Sequence, residues 1–141
     1  EKQLMEEMKL TVDTGAVNIA VQEPDGSVIG SFKFIPTDMD IIRRYGKVVD
    51  YFNGVTFPEN PSAAEYIKLD DEIRGQLDYL LNGSVSDGVF AKCAPLTMIS
   101  NGDLYFEAVI DGIGKLIEKT MKTRIDKKMK RVKAATSKYH G

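Results

Sequence analysis

The chain has 141 residues, of which 43% are hydrophobic and 28% are charged, and its formal net charge is −2. This composition is typical of one globular domain and excludes a chain that is disordered throughout. No run approaches the roughly 18 apolar residues that cross a bilayer, and the first ten residues lack the apolar core of a signal peptide. We therefore expect a cytoplasmic protein with no membrane partner, and the single Cys93 agrees with a reducing compartment.

The first part of the chain has the period-two alternation of half-buried strands. The apolar residues fall into three runs: Met8, Leu10 and Val12; Val17, Ile19 and Val21; and Val28, Phe32 and Phe34. Turn-forming residues separate the runs at Asp13-Thr14-Gly15 and at Pro24-Asp25-Gly26. The sequence predicts an α+β fold in which a three-stranded antiparallel meander packs against three or four helices.

Helical periodicity follows the predicted sheet. Thr37 and Asn60 are placed as N-caps of the first two helices, and Asn82 with Gly83 supplies the end of the second. The predicted elements are a helix over about 38–52, a helix over about 61–81, a short buried helical piece at Val89 and Phe90, and a long last helix over about 104–134.

Charge is distributed unevenly between this core and the end of the chain. Residues 115–141 contain ten Lys and Arg against two Asp and Glu, a net charge of +8, whereas residues 1–114 contain nine against nineteen, a net charge of −10. We predict a single α+β core over residues 1–114 and a basic helical extension over residues 115–141, continuous with the last core helix. Such a split is typical of a surface that meets another macromolecule.

The last helix carries two apolar stripes. From Phe106 to Ile117 the apolar residues share one side of a helix that turns about 100° per residue, so they are expected in the core. Later apolar residues recur in fours, and that stripe drifts by about 40° per step and is surrounded by Lys and Arg. The predicted partner-binding residues are Met121, Lys122, Arg124, Ile125, Lys128, Met129 and Val132.

Three interpretations of this basic half-helix are open. It could be a solvated helix whose lysines confer solubility. It could instead dock on another protein or on a second copy of the chain, since Met-rich contacts adapt to helical partners. Its cations could also contact nucleic acid or a membrane surface, although no aromatic residue is interleaved before Tyr139 and no helix-turn-helix or zinc pattern precedes it.

No residue pattern predicts a reaction, a cofactor or a metal site. His140 is the single histidine and has no Cys or His neighbour, and Cys93 lacks a base in any recognisable motif. Asp70-Asp71-Glu72 lacks the glycine and the ligand spacing of a calcium loop, and the chain has neither a P-loop nor a dinucleotide-binding fingerprint. We therefore expect a protein that is not an enzyme and that holds no cofactor.

Three pieces of the sequence together resemble the tail assembly chaperones of tailed phages and prophages of Gram-positive bacteria. They are the junction from Phe32 to Asp38 with the Tyr45 and Phe52 helix that follows it, the Val89-Phe90 pair after a polar loop, and the long last helix with a Lys-rich end at Lys138-Tyr139.

The resemblance implies a non-enzymatic protein that coats the hydrophobic tape-measure protein, keeps it soluble and passes it to tail-tube protein subunits as they polymerise. It also implies that a homo-oligomer is possible, since some members of the family self-associate. The alternative hypothesis, from the +8 tail, is a small nucleic-acid-binding regulator that uses the basic C-terminal helix.

Overall fold

The computed structural model describes residues 5–140, with side chains for residues 5–132. Within this part of the chain there are two strands and four helices: β1 (Val17–Gln22), β2 (Val28–Phe34), α1 (Asp40–Asn53), α2 (Ala63–Leu81), α3 (Ser86–Val89) and α4 (Tyr105–His140). The mixture of sheet and helices agrees with an α+β fold. The side chains of Lys138, Tyr139 and His140, on which part of the sequence argument depends, lie outside the described residues, as does Gly141.

The two strands form an antiparallel hairpin whose register runs from Val17 opposite Phe34 to Gln22 opposite Val28. Its turn follows the predicted Pro-Asp-Gly pattern, because Gly26 adopts a φ of +88° and its amide donates to the carbonyl of Glu23 at 2.9 Å. Alternate residues of both strands face the helices. This face is completed by packing against helices, as expected for so small a sheet.

The predicted three-stranded meander is wrong, since the segment 5–16 contains no strand. Met8, Leu10 and Val12 alternate as predicted but are 91%, 90% and 66% exposed. The chain turns at Gly15, which has a φ of +74° and whose amide donates to Oδ1 of Asp13 at 2.9 Å. Alternation satisfies only one requirement of a strand, because a ladder partner is also needed, and this segment has none within the described residues.

The core lies between the sheet and the helices. β2, α1, α2 and α4 all contribute buried side chains, and α3 adds Val89. The largest contributors are Phe32 and Phe34 from β2, Ile41 and Val48 from α1, Ile73, Leu77 and Leu80 from α2, and Phe106, Ile113 and Ile117 from α4. Because α4 supplies several of these residues, the first half of the long helix is an integral part of the fold.

Two predicted helix starts are also wrong. Thr37 does not cap α1, which begins at Asp40. The cap of α2 is Ser62, two residues after the predicted Asn60: its Oγ accepts from the amide of Glu65 at 3.2 Å, and Oε1 of Glu65 accepts from the amide of Ser62 at 3.3 Å. This reciprocal pair is a capping box, and it satisfies two amides at the start of the helix. The predicted end of α2 is confirmed, with Asn82 in the left-handed conformation at a φ of +55°.

The sheet has different neighbours on its two strands. α3 approaches β2 closely, and a Cβ atom on Gly30 would lie 2.5 Å from the carbonyl oxygen of Val89. Glycine is therefore required at this contact. β1, by contrast, pairs only with β2 within the described residues, so its second edge has no strand beside it.

Candidate partner-binding surface

The inner half of α4, residues 105–124, is held against the body of the protein. Val109, Ile113 and Ile117 recur at steps of four and are buried, so they form the core-facing stripe that the sequence predicts. On the α1 side the helices approach closely, since a Cβ atom on Gly114 would lie 2.5 Å from the hydroxyl oxygen of Tyr45. Gly114 therefore permits the contact between the two helices.

Arg124 ends this packed half. Its Nη1 donates to Oγ1 of Thr37 and its Nη2 donates to the carbonyl oxygen of Gly15, both at 2.7 Å. The guanidinium thus joins α4 to the loop before β1 and to the loop before α1. Thr37, which the sequence suggests as a helix cap, contributes its hydroxyl group to this contact instead.

The predicted binding residues separate into two groups in the structure. Met121 is half-buried and packs against the core, and Arg124 makes the two hydrogen bonds described above. The other predicted residues, Lys122, Ile125, Lys128, Met129 and Val132, are exposed. The structure therefore assigns Met121 and Arg124 contacts within the fold and leaves the others on the surface.

Three of the exposed residues form a continuous apolar row, which we name the α4 stripe: Ile125, Met129 and Val132. They are 54%, 59% and 50% exposed. Their spacing of four and then three residues places them on one side of the helix. The α4 stripe spans eight residues, and its ends are about 10 Å apart at the helical rise of 1.5 Å per residue. This length corresponds to two turns, which is enough to contact one face of a partner helix.

Cations surround the α4 stripe. Lys122, Lys127, Lys128, Lys130 and Arg131 are all exposed, and Asp126 is the single acidic residue between them. Long Lys and Arg side chains can lie along an apolar contact and keep their charged ends in water. The surface therefore combines an apolar centre with a positive rim, an arrangement typical of a protein contact and compatible with phosphate contacts.

Titratable groups with shifted pKa values lie elsewhere in the molecule. A hydrogen bond from Arg43 lowers the pKa of Asp40 to about 2, and burial raises the pKa of Tyr105 to about 12. Both groups have structural partners: Asp40 pairs with Arg43 and Arg44, and the hydroxyl of Tyr105 donates to the carbonyl of Val89 at 3.1 Å. Their shifts follow from these contacts and from burial.

Within residues 5–132, no group of three His, Cys, Asp or Glu side chains is placed to hold a metal ion. Cys93 is half-buried, and its Sγ lies 3.9 Å from the carbonyl oxygen of Ala94. Asp70, from the acidic run on α2, pairs with Arg74 at 2.9 Å and forms part of the helix surface. These residues have contacts typical of structural roles.

The contact that sets the boundary of the candidate surface does not follow from any local sequence pattern. Arg124 and Gly15 are 109 residues apart, and neither residue belongs to a local motif that would predict the pair. The one available signal is Gly15 itself, because a glycine two residues after Asp13 indicates a turn at which the backbone can be approached closely.

Within the described residues, no helix has the length and hydropathy needed to cross a membrane. In comparisons with known proteins, the chain matches no family model, no curated protein and no solved structure. The resemblance to tail assembly chaperones therefore depends on the sequence features alone.

Proposed function

We propose that this chain is a non-enzymatic phage tail assembly chaperone that binds the tape-measure protein through the α4 stripe. The observation that carries the proposal is the exposure of Ile125, Met129 and Val132 in one row on a helix that continues past the packed core. The resemblance supplies the identity of the client. It also supplies the second step of the proposal, in which the chaperone recruits tail-tube subunits in the cytoplasm of the bacterial host.

The chemistry of the α4 stripe suits a helical client. Met side chains are flexible and polarisable, so they adapt to apolar surfaces of different shape. Anchors spaced by four and three residues match the apolar face of an amphipathic helix laid alongside α4. A tape-measure protein that presents such faces along its length would offer many equivalent contacts, and the chaperone would keep them out of water until the tube forms.

The positive rim adds a condition on the client. Exposed cations on Lys122, Lys127 and Lys128 favour a partner whose apolar face is bordered by Asp or Glu. Rim charges of this kind mainly affect the rate of association and its salt dependence, whereas the apolar centre determines how long the complex lasts. Client binding should therefore persist at moderate salt with a slower association rate.

Co-expression with the tape-measure protein from the same gene cluster tests the proposal. We expect the wild-type chain to co-purify with the client and to increase the soluble fraction of the client. The double variant Ile125→Asp, Met129→Asp should lose both effects, because it places two charges at the centre of the contact. Met39→Asp is the control, since Met39 is also exposed, at 70%, but lies at the start of α1. Failure of the wild-type chain to co-purify, with no gain in client solubility, would overturn the proposal.

A nucleic-acid-binding regulator is the second candidate, and the exposed cations around the α4 stripe are the observation that favours it. The two functions predict different salt responses. Binding driven by phosphate contacts weakens steeply as salt rises, because counterions must be displaced. Titration with duplex and single-stranded DNA at two salt concentrations distinguishes them. Tight, salt-sensitive DNA binding would favour the regulator if Lys127→Gln and Lys128→Gln weaken it. The substitutions at Ile125 and Met129 should then leave DNA binding intact.

A further inference from the structure

A second candidate surface lies between β1 and the inner half of α4. A cavity of about 520 Å³ separates β1 from this helix. Its walls are mainly apolar, with Ile19 and Val21 from β1 facing Val109 and Leu116 from α4. We name this cavity the β1 groove. The α4 wall is thin at Gly112, where an added Cβ atom would meet no atom within 4 Å.

The β1 groove borders the unpaired edge of the sheet. Every residue from Ile19 to Pro24 lines it, including exposed Ala20 as well as half-buried Ile19 and Val21. A surface bounded by successive residues of a strand borders its backbone edge, whereas one face of the strand would contribute only alternate residues. Unpaired strand edges present free backbone donors and acceptors, and proteins normally cover or pair them.

The chain itself carries a segment with the pattern of a missing strand. In residues 5–12, Met8, Leu10 and Val12 alternate with Lys9 and Thr11. All five residues are exposed, and no described backbone hydrogen bond joins this segment to the rest of the protein. A run of apolar side chains left in water is unfavourable, and its period of two matches the pleat of a strand.

We propose that residues 5–12 of one copy of this chain pair as a strand with the free edge of β1 in a second copy. The alternate residues Met8, Leu10 and Val12 then enter the β1 groove of that copy, and Lys9 and Thr11 face water. This is strand addition at a sheet edge, in which backbone hydrogen bonds provide affinity and alternate side chains provide specificity.

Among the described residues, the exposed segment and the open β1 edge occur together in one chain without pairing, which favours a second copy over the same chain. The carbonyl oxygen of Gly15 accepts a hydrogen bond from Arg124 at 2.7 Å, and this contact fixes the point at which the segment leaves the sheet. In its own chain the described segment 5–12 forms no backbone hydrogen bond with β1, so that edge stays open. Each copy therefore has one free segment and one free edge, so a reciprocal exchange satisfies both and closes a two-fold dimer.

Charge supports the same pairing. Residues 5–13 contain Glu6, Glu7 and Asp13 against one Lys, whereas exposed Lys119 follows Gly112 by seven residues and so lies on the same side of α4 as the thin wall of the β1 groove. An acidic segment in the groove would lie near this cation. The pairing uses neither the α4 stripe nor a client, so it does not depend on the proposed function.

Disulfide trapping tests the contact directly. In a Cys93→Ser background, one copy carries Lys9→Cys or Thr11→Cys and a second copy of different mass carries Ala20→Cys, all at positions that face water. We expect mild oxidation to join the two copies roughly tenfold more than the control pair Thr11→Cys with Lys47→Cys on α1, because paired strands keep their side chains close. If neither Lys9→Cys nor Thr11→Cys gives a higher yield of disulfide-linked dimer with Ala20→Cys than the control pair gives, the proposal is overturned.

The same cysteines in one chain distinguish the two topologies. If Thr11→Cys and Ala20→Cys in a single chain form a disulfide that remains monomeric, the segment folds back on its own sheet and the exchange is wrong. A disulfide-linked dimer is the expected result.

Oligomeric state provides an independent measurement on the full chain. Analytical ultracentrifugation over a concentration series should detect a dimer for the wild-type chain. Leu10→Asp should abolish it, since it places a charge in the β1 groove, whereas Met39→Asp should keep it. Leu10 is exposed within its own chain, so its substitution should not unfold the monomer. A wild-type chain that stays monomeric throughout, or a dimer that survives Leu10→Asp, would contradict the exchange.

The two proposals can fail separately. Leu10→Asp should still solubilise the tape-measure protein, and the double variant Ile125→Asp, Met129→Asp should still dimerise. Loss of both properties in either variant would show that one surface carries both contacts, and the strand exchange would then be wrong.

Discussion

The two halves of α4 have the same kind of apolar repeat and different environments. Ile113 in the inner half is 1% exposed, whereas Ile125, twelve residues later on the same helix, is 54% exposed. The sequence around each residue is helical and amphipathic, so local pattern does not distinguish them. The difference comes from the extent of the body of the protein, which reaches along α4 as far as Arg124. Stability should therefore depend on the inner half and partner binding on the outer half.

The largest expected effect on the free energy of unfolding comes from a substitution at Ile113. Truncation to Ala removes a fully buried side chain from the core, and should lower the free energy of unfolding by about 4 kcal/mol. Ile125→Ala is the matched control and should change it by less than about 0.5 kcal/mol, because most of the side chain is already in water. Urea unfolding followed by circular dichroism measures both. Comparable losses in the two variants would show that the outer half is packed in solution and would break the comparison.

Arg124 should have the next largest effect, because it forms the boundary between the halves. Arg124→Met removes two hydrogen bonds from a charged donor to Thr37 and Gly15, and should cost about 2 kcal/mol in the same assay. Arg131→Met, about two turns beyond the packed region, should have a free energy of unfolding within about 0.5 kcal/mol of wild type. Arg124→Lys should recover only part of the loss, since an ammonium group cannot reproduce the fork that reaches both acceptors. Full recovery of stability in Arg124→Lys would indicate that a positive charge alone is enough for this contact.

Tyr105, at the start of the inner half, should have a smaller effect that depends on pH. At neutral pH, Tyr105→Phe removes the hydrogen bond to the carbonyl of Val89 and should cost about 1 kcal/mol. Burial raises the pKa of Tyr105 from 10.0 to about 12, so the folded state favours the neutral phenol. The stability linked to this shift is complete below pH 10 and is lost as pH rises through 12.

The free energy of unfolding, measured from pH 8 to pH 12, checks the direction of this change in stability. The wild-type chain should lose stability faster than Tyr105→Phe above pH 10, so the two curves should converge. Tyr66→Phe, at an exposed position on α2, is the control and should follow the wild-type curve. Curves for wild type and Tyr105→Phe that stay parallel up to pH 12 would show that Tyr105 ionises as easily in the folded state as in the unfolded one.

Much of the fold could be predicted from local chemistry. The β1–β2 hairpin follows from alternation on both sides of Pro24-Asp25-Gly26, and the end of α2 follows from Asn82. The start of α2 was also present in the sequence, as Ser62 followed three residues later by Glu65, but the Asn60-Pro61 pair gave a competing signal. Local rules identify an element well and its first residue less well when two caps are close together.

The remaining features depend on partners that are distant in the sequence. Residues 8–12 alternate as a strand should, yet a strand also needs an edge to pair with, and in the described residues this segment does not join the sheet. Similarly, periodicity placed Met121 and Ile125 in one predicted stripe, but the body of the protein covers the first and leaves the second exposed. The length of helix that the core covers depends on tertiary packing, so it cannot be predicted from a local stretch of sequence.

Amide hydrogen exchange gives the finest test of the comparison, because it requires no change to the chain. Amides of residues 109–117 belong to the packed half and should exchange only when the whole domain unfolds. Amides of residues 125–132 have the same helical hydrogen bonds but exposed side chains, and isolated helical turns are only marginally stable in water. They should therefore exchange through local opening, at rates that do not change in Ile113→Ala. Addition of the tape-measure protein should slow exchange in residues 125–132, whereas dimerisation through the β1 groove should not, since that contact involves the inner half. Protection of the outer half equal to that of the inner half, in the chain without a client, would mean that the α4 stripe is already covered by another copy.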